Sequence, residues 1–327
     1  MNELSIGFLK FQPIYHYRIW GGEKLKTVLN KNYSDSKIGE SWEISGVKGS
    51  ETRVLEGPFI GETVKTLTEK FKADFIGEKC FNEYGTEFPV LIKFIDAVSP
   101  LSVQVHPNDS LAKERHDSLG KNEMWFIMDT DKKADLLIGF KKQLNKDSFR
   151  DYVNRGDLMP VLNSIEVQKG DVYYLPAGRV HAIGAGVVLA EIQQTSDVTY
   201  RVYDYDRVDK ATGKKRDLHI EESIDAIDFN MIEDYKTAYA RQENQSNKMI
   251  DTPYFKTNYI NAFEKTVLSY QKNKSFKIFI CTEGKALLKT KNQEVDIKRG
   301  ETILLAANEK SLTILPIDKV ELLETSY

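Results

Sequence analysis

The chain has 327 residues, 41% apolar and 11% aromatic, with 46 basic against 49 acidic residues for a formal charge of −3. That length buries a large core and favours two domains or one elaborated domain, and the balanced charge excludes an extended nucleic-acid face or an acidic tail, so any anion has to be bound locally. Two distant cysteines, Cys80 and Cys281, exclude a thiolate zinc knuckle, argue against a disulfide framework and fit a reducing cytosol.

The opening, MNELSIGFLKFQPIYHYRIW, has no basic segment followed by an apolar run. The longest apolar stretch, AIGAGVVLA at 182–190, falls far short of the ~20 residues that cross a bilayer. A cytoplasmic protein without membrane or nucleic-acid partners is expected.

Helical spacing is confined to 61–77, 110–119, 145–159 and 218–228. Between and after these lie short runs rich in β-branched and aromatic residues: VLIKFI, LSVQV, MWFIM, VYYL, VVLAEI, YRVYDY, FKIFICTEG and ETILLAA. The pattern predicts an all-β, largely antiparallel protein with short helical insertions.

QKGDVYYLPAG at 168–178 aligns with KRGETILLAAN at 298–308, Gly170 facing Gly300 and Leu175 facing Leu305. Two similar β-sandwiches explain that repeat. The polar segment 240–253 places the boundary near 245, giving 1–245 as the chemical unit and 246–327 as a second unit whose copy of the motif has no following histidine.

The residues that carry chemistry fall in the first unit. In PLSVQVHPND, 100–109, strand alternation sets Ser102, Gln104 and His106 on one face and Leu101, Val103 and Val105 on the other. Glu123, in GKNEMWFIM, heads another strand, where a buried carboxylate needs a cation or donors. GDVYYLPAGRVH, 170–181, turns through proline and glycine and aims His181 into the mouth of a barrel. Gln104, His106, Glu123 and His181 together offer two nitrogen and two oxygen ligands, a set that suits one Zn²⁺ per chain with room for water or substrate. His16, His116 and His219 lack such company and read as surface or packing residues.

The pattern GxxxxxPxGxxH over 170–181 resembles the second conserved motif of cupins, small jelly-roll barrels that commonly hold a metal. Ala182, Gly186, Glu191, Ser196, Asp197 and Arg201 follow in an order similar to the signature of type I mannose-6-phosphate isomerases, and SVQVHP, GKNE, IWGG (19–22) and IGESWEIS (38–45) look like the shorter bacterial form. GKNE stands where longer members have HKPE, and one extra residue separates Gly186 from Glu191.

The resemblance implies a double jelly roll, or bicupin. It further implies interconversion of mannose 6-phosphate and fructose 6-phosphate through a cis-enediol, with zinc near the sugar hydroxyls and Arg201 beside the reacting carbons. A fixed guanidinium stays charged and stabilises the developing oxyanion. Arg201 would share a strand face with Tyr203 and Tyr205. The chain has no glycine-rich phosphate loop, and the family-matched phosphate holders are Ser102, Lys121 and Arg201. For the proton carrier, Glu191 and Lys93, both ionisable groups in apolar strands, stand beside a zinc-bound water; Glu191 could equally orient a ligand histidine and pair with Lys93.

The competing readings are a non-catalytic, metal-dependent sugar-binding bicupin and a cupin oxygenase, against which Gln104 argues. A bifunctional nucleotidyltransferase would need a nucleotide-binding βα unit ahead of the first barrel, for which the length leaves no room. A small-molecule sugar phosphate is the expected partner, and a monomer or weak homodimer the expected assembly.

Overall fold

The computed structural model describes residues 6–327; the first five residues of the opening segment lie outside the described residues. Its architecture follows from strands whose alternate residues have separate destinations. Val187–Gln194, Val90–Ala97 and Glu123–Thr130 lie side by side in a six-stranded antiparallel sheet, completed by Val172–Leu175, Ile14–Gly22 and Ile38–Ile44. Facing it is a five-stranded antiparallel sheet in the order Leu162–Glu166, Asp135–Phe140, His181–Ile183, Val103–Val105 and Tyr200–Tyr203.

Between the two sheets Ile95, Trp125, Ile127, Leu136, Ile138, Ile183 and Leu189 form one closed apolar cluster. The opposite phase of the six-stranded sheet, with Ile92, Phe94, Met124, Phe126, Ala190 and Ile192, packs against Tyr259, Ile278, Ile280 and Leu323 from the C-terminal sheet. The opposite phase of the five-stranded sheet, with Val103, Val105, Leu137, Ala182, Tyr200 and Val202, packs on Phe149 and Ile224 from two of the helical insertions. Each fully buried side chain of this size is worth ~1.5–3 kcal/mol over its exposed state. Those gains hold the alternation in register, because a one-residue slip would turn every core residue outward.

Residues 246–326 supply seven strands of a third, eight-stranded sheet in which Lys277–Lys289 and Ser311–Ser326 are the long central strands. They enclose an apolar interior with Ile260, Phe279, Cys281, Ile303 and Leu322. The N-terminal strand Phe8–Leu9 pairs with Thr302–Leu305, so the beginning of the chain is hydrogen-bonded into this last sheet. Gly170 and Gly300 both take left-handed φ, 86° and 83°, just before the equivalent strands Val172–Leu175 and Thr302–Leu305. The fold is all-β, as the strand pattern predicts, and has the cupin architecture that the resemblance implies.

The helices are short, and the three longest are capped by side chains. Thr63 closes a capping box on Val64–Phe71, Asn108 caps Asp109–His116, and Asn145 closes a box on Lys146–Asn154. The helix expected over 61–77 ends at Phe71, because Lys72 takes φ of 50° and the chain restarts as Ala73–Ile76. Among the described residues no helix is long and apolar enough to cross a membrane.

Candidate active site

The inward phase of each strand places the chemistry. With Ile95 facing the interior, Lys93 faces it too; with Trp125 inward, so is Glu123; with Leu189 inward, so is Glu191. Register then lines Trp42, Lys93, Glu191 and Trp125 up in one row across four adjacent strands. Lys93 Nζ lies 3.1 Å from Glu191 Oε1 and 4.9 Å over the Trp42 ring, and Trp125 Nε1 donates to Glu191 Oε2 at 2.8 Å. Beside this row Arg18 grips Glu40 through Nε and Nη2, both at 2.9 Å, and Trp42 Nε1 donates to the same carboxylate at 2.7 Å. Burial pushes the Glu40 carboxyl up, but Arg18 and Lys93 overcome it and hold it far below the usual range.

On the facing sheet Gln104 pairs with His181 on one side and Arg201 on the other. The turn that delivers His181 needs glycine: Gly178 has φ of 89°, and a Cβ there would lie 2.9 Å from the Ala226 carbonyl. Its N–H donates to the His106 carbonyl at 2.9 Å, which joins the two histidine-bearing segments directly. The adjoining Ala177 N–H donates to Asn122 Oδ1, Asn122 Nδ2 to Gln194 Oε1, and Gln194 Nε2 to Asp109 Oδ1. This chain of amides fixes the GKNE loop.

His106, Glu123 and His181 are buried together, with one potential ligand atom from each lying within 4.8 Å of the others. His106 donates its Nδ1–H to the Val198 carbonyl at 3.0 Å and His181 donates its own to the Arg179 carbonyl at 2.8 Å. In a neutral ring that leaves each Nε2 as a lone pair pointing inward. Burial, reinforced by Lys121, holds the His106 pKa well below its ordinary value, so that ring is neutral. His181 Nε2 stands 3.1 Å from Glu123 Oε1 and His106 Nε2 3.6 Å from Oε2, and neither carboxylate oxygen receives a donor in hydrogen-bond geometry.

Lone pairs facing a fully buried carboxylate are tolerable only around a cation. Lys121 supplies part of that charge: its Nζ is 2.9 Å from Glu123 Oε2 and donates to His106 Nε2 at 3.0 Å. Burial would raise the Glu123 carboxyl, but the Lys121 ammonium, foremost among its neighbours, holds it well below the usual carboxylate range. The donor set, neutral imidazoles with outer carbonyl partners and a carboxylate, fits a divalent metal. Gln104 Nε2 is 3.4 Å from His181 Nε2, and a half-turn of the amide would bring its oxygen toward the same group.

Above this group opens a cavity of about 350 Å³ lined by Trp20, Lys93, Ser102, Gln104, Lys121, Glu191, Arg201 and Arg216, among others. Gln104 and Lys121 each touch one of the histidines, so the cavity ends on the His–Glu–His cluster. Arg201 Nη1 donates to the Asp217 carbonyl at 2.9 Å, while its Nε has no partner and, among the described residues, its guanidinium forms no ion pair. Arg216, by contrast, is tied to Asp204. The expected shared face of Arg201, Tyr203 and Tyr205 does not extend that far. A bulge interrupts the pairing between Arg201 and Tyr203, the strand ends at Tyr203, and Tyr205 takes φ of 57°.

His219, read as a packing residue, accepts the Arg201 backbone N–H on Nδ1 at 3.1 Å, and His116 Nε2 lies 2.8 Å from the Tyr200 hydroxyl. Sequence reasoning missed Trp125, Trp42 and the Arg18–Glu40 pair. The first two were within reach, since each shares the inward phase of its strand with a residue already singled out or quoted. The amide chain from Asn122 through Gln194 to Asp109 had no local signal.

Residues 8–150 match the family Phosphomannose isomerase type I, catalytic domain, and residues 247–315 match Mannose-6-phosphate isomerase, cupin domain. The chain is 34% identical to the mannose-6-phosphate isomerase ManA of Bacillus subtilis, over 91% of this chain and 92% of that one. It is 32% identical to the mannose-6-phosphate isomerase of Streptococcus mutans, over 93% of each. The crystal structure of the mannose 6-phosphate isomerase from Bacillus subtilis superposes with a TM-score of 0.88 at 29% identity, covering 98% of this chain and 99% of that one.

Proposed function

The chain belongs to the type I mannose-6-phosphate isomerase family, and from that premise we propose that it interconverts mannose 6-phosphate and fructose 6-phosphate by zinc-dependent proton transfer through a cis-enediol. The observation that carries this reading is the convergence of two imidazoles on a buried carboxylate whose one close cation among the described residues is Lys121, at the end of a cavity lined by Arg201.

His106, Glu123 and His181 would hold the zinc ion, with Gln104 as fourth ligand. When bound, the ion polarises the sugar oxygens as a Lewis acid. Glu191, its Oε2 fixed by Trp125 and its Oε1 beside Lys93, is placed to carry the proton between C1 and C2. Lys93 keeps that carboxylate oriented and neutralises it in an otherwise apolar row. Arg201, which has no ion-pair partner among the described residues, meets the negative charge that develops on the enediol oxygen and needs no reorganisation to do so. Ser102, Lys121 and Arg201 are the side chains assigned to the phosphate, and a cavity of about 350 Å³ lies within the ~300–1,000 Å³ range of small-molecule sites.

We assign the catalytic unit to residues 1–245 and a partner unit without metal ligands to 246–327, in a cytoplasmic protein that is a monomer or weak homodimer. A sugar-binding protein without turnover would share the metal group and the guanidinium that meets the phosphate. A coupled assay separates the two: mannose 6-phosphate, with added glucose-phosphate isomerase and a glucose 6-phosphate readout, is expected to turn over well above the enzyme-free blank. A rate equal to the blank would leave the binding protein as the reading.

A further inference from the structure

The C-terminal barrel repeats the geometry of the catalytic one with the charge reversed. Within the internal repeat the strands keep their register: Leu175 pairs with Glu123 in the first barrel, and its counterpart Leu305 pairs with Lys277 in the second. Both leucines face their barrel's interior. Lys277 thus occupies the position that Glu123 holds at the metal group. Along its strand the same phase continues into Phe279 and Cys281, which are fully buried, so Lys277 marks where the apolar interior gives way to charge.

At that mouth opens a cavity of about 440 Å³ lined by Lys248, Lys256, Lys274 and Lys277 against two carboxylates, Asp251 and Glu324. Asp251 is engaged by Lys248 at 2.9 Å and Lys256 at 3.1 Å. Glu324 is held by the Tyr270 hydroxyl at 2.6 Å, Ser246 Oγ at 3.0 Å and Asn258 Nδ2 at 3.1 Å. The Lys277 ammonium lies 5.2 Å over the Tyr270 ring and, among the described residues, forms no hydrogen bond or ion pair. Burial, opposed by Glu324, draws its pKa below the ordinary lysine value.

A half-buried ammonium without an acceptor is costly, and an incoming anion removes that cost. Among the side chains lining the cavity the four lysines outnumber the two carboxylates, an excess of positive charge that suits an anion such as a phosphomonoester, which carries about −1.5 to −2 near neutral pH. We propose that the mouth of the C-terminal barrel is a second ligand site, separate from the catalytic cavity, which binds the phosphate group of a small phosphomonoester through Lys277 and its neighbouring lysines.

Acetylation of the full chain with an amine-reactive ester, read by peptide mass spectrometry, tests this with inorganic phosphate, mannose 6-phosphate, or chloride at matched ionic strength. Near saturation either phosphate slows Lys277 modification about fivefold relative to chloride, as occupancy requires, while exposed Lys291 is unchanged. Equal protection by the two phosphates marks the phosphate group as the recognised part, and stronger protection by the sugar ester marks a phosphosugar. Equal Lys277 rates in phosphate and chloride overturn the proposal. Lys277→Gln is expected to melt like wild type in chloride and to gain less melting temperature from phosphate; equal gains overturn the proposal as well. Should that variant not fold, the labelling of wild type decides alone.

Discussion

His181→Ala yields a folded protein that retains no stoichiometric zinc and does not turn over mannose 6-phosphate. The ring supplies one of two inward lone pairs and touches both Glu123 and Gln104, so its loss opens the shell on two sides. Removing an outer hydrogen-bond partner of a metal ligand costs ~10–100-fold in affinity, and loss of the ligand itself costs more. The imidazole is fully buried, but its partners are the Arg179 carbonyl and the side chains of Gln104 and Glu123, none of which depends on the ring for its own strand pairing, so its truncation leaves the pairing of 181–183 intact and the melting curve stays cooperative. Metal analysis after gel filtration, beside a thermal melt, checks this. A folded His181→Ala protein still holding one zinc per chain would remove that residue from the ligand set.

Arg201→Ala loses catalysis without losing metal. The guanidinium lies across the cavity from the Lys93–Glu191 pair and is anchored through Nη1 to the Asp217 carbonyl. Taking away one preorganised donor from a developing oxyanion lowers kcat by about 10²–10³, or ~3–4 kcal/mol of barrier. Arg201→Lys recovers little, because an ammonium cannot reproduce the planar fork. The division between constants is the informative part: a fall in kcat places Arg201 at the reacting carbons, whereas a rise in KM with kcat unchanged restricts it to holding the substrate. Zinc content equal to wild type shows that the effect does not pass through the metal.

Much of this site was legible because two-residue periodicity is a local property. Once Val103 and Val105 are taken as core, Ser102 and Gln104 must face the other way, and the PAG turn before His181 carries its own conformational requirement in Gly178. Glu123 was legible for the same reason, as the polar head of an otherwise apolar strand. Register is not local: that Lys93, Glu191, Trp42 and Trp125 form one row depends on how strands far apart in sequence slide against each other. Nor does any spacing reveal that the Lys121 ammonium sits between Glu123 and His106, since its loop is held by Gln194, 72 residues beyond Asn122. The strand through Arg201 was overextended because a bulge and a left-handed Tyr205 leave no mark in an alternating aromatic run.

Isomerisation is proposed to depend on zinc held by the His106–Glu123–His181 group. The most direct test is to strip the purified wild-type chain with a chelator, follow mannose 6-phosphate conversion in the coupled assay, and titrate zinc back. Stripped protein is expected to show no turnover, with recovery that saturates near one zinc per chain. Full activity in protein shown by elemental analysis to be metal-free would contradict it.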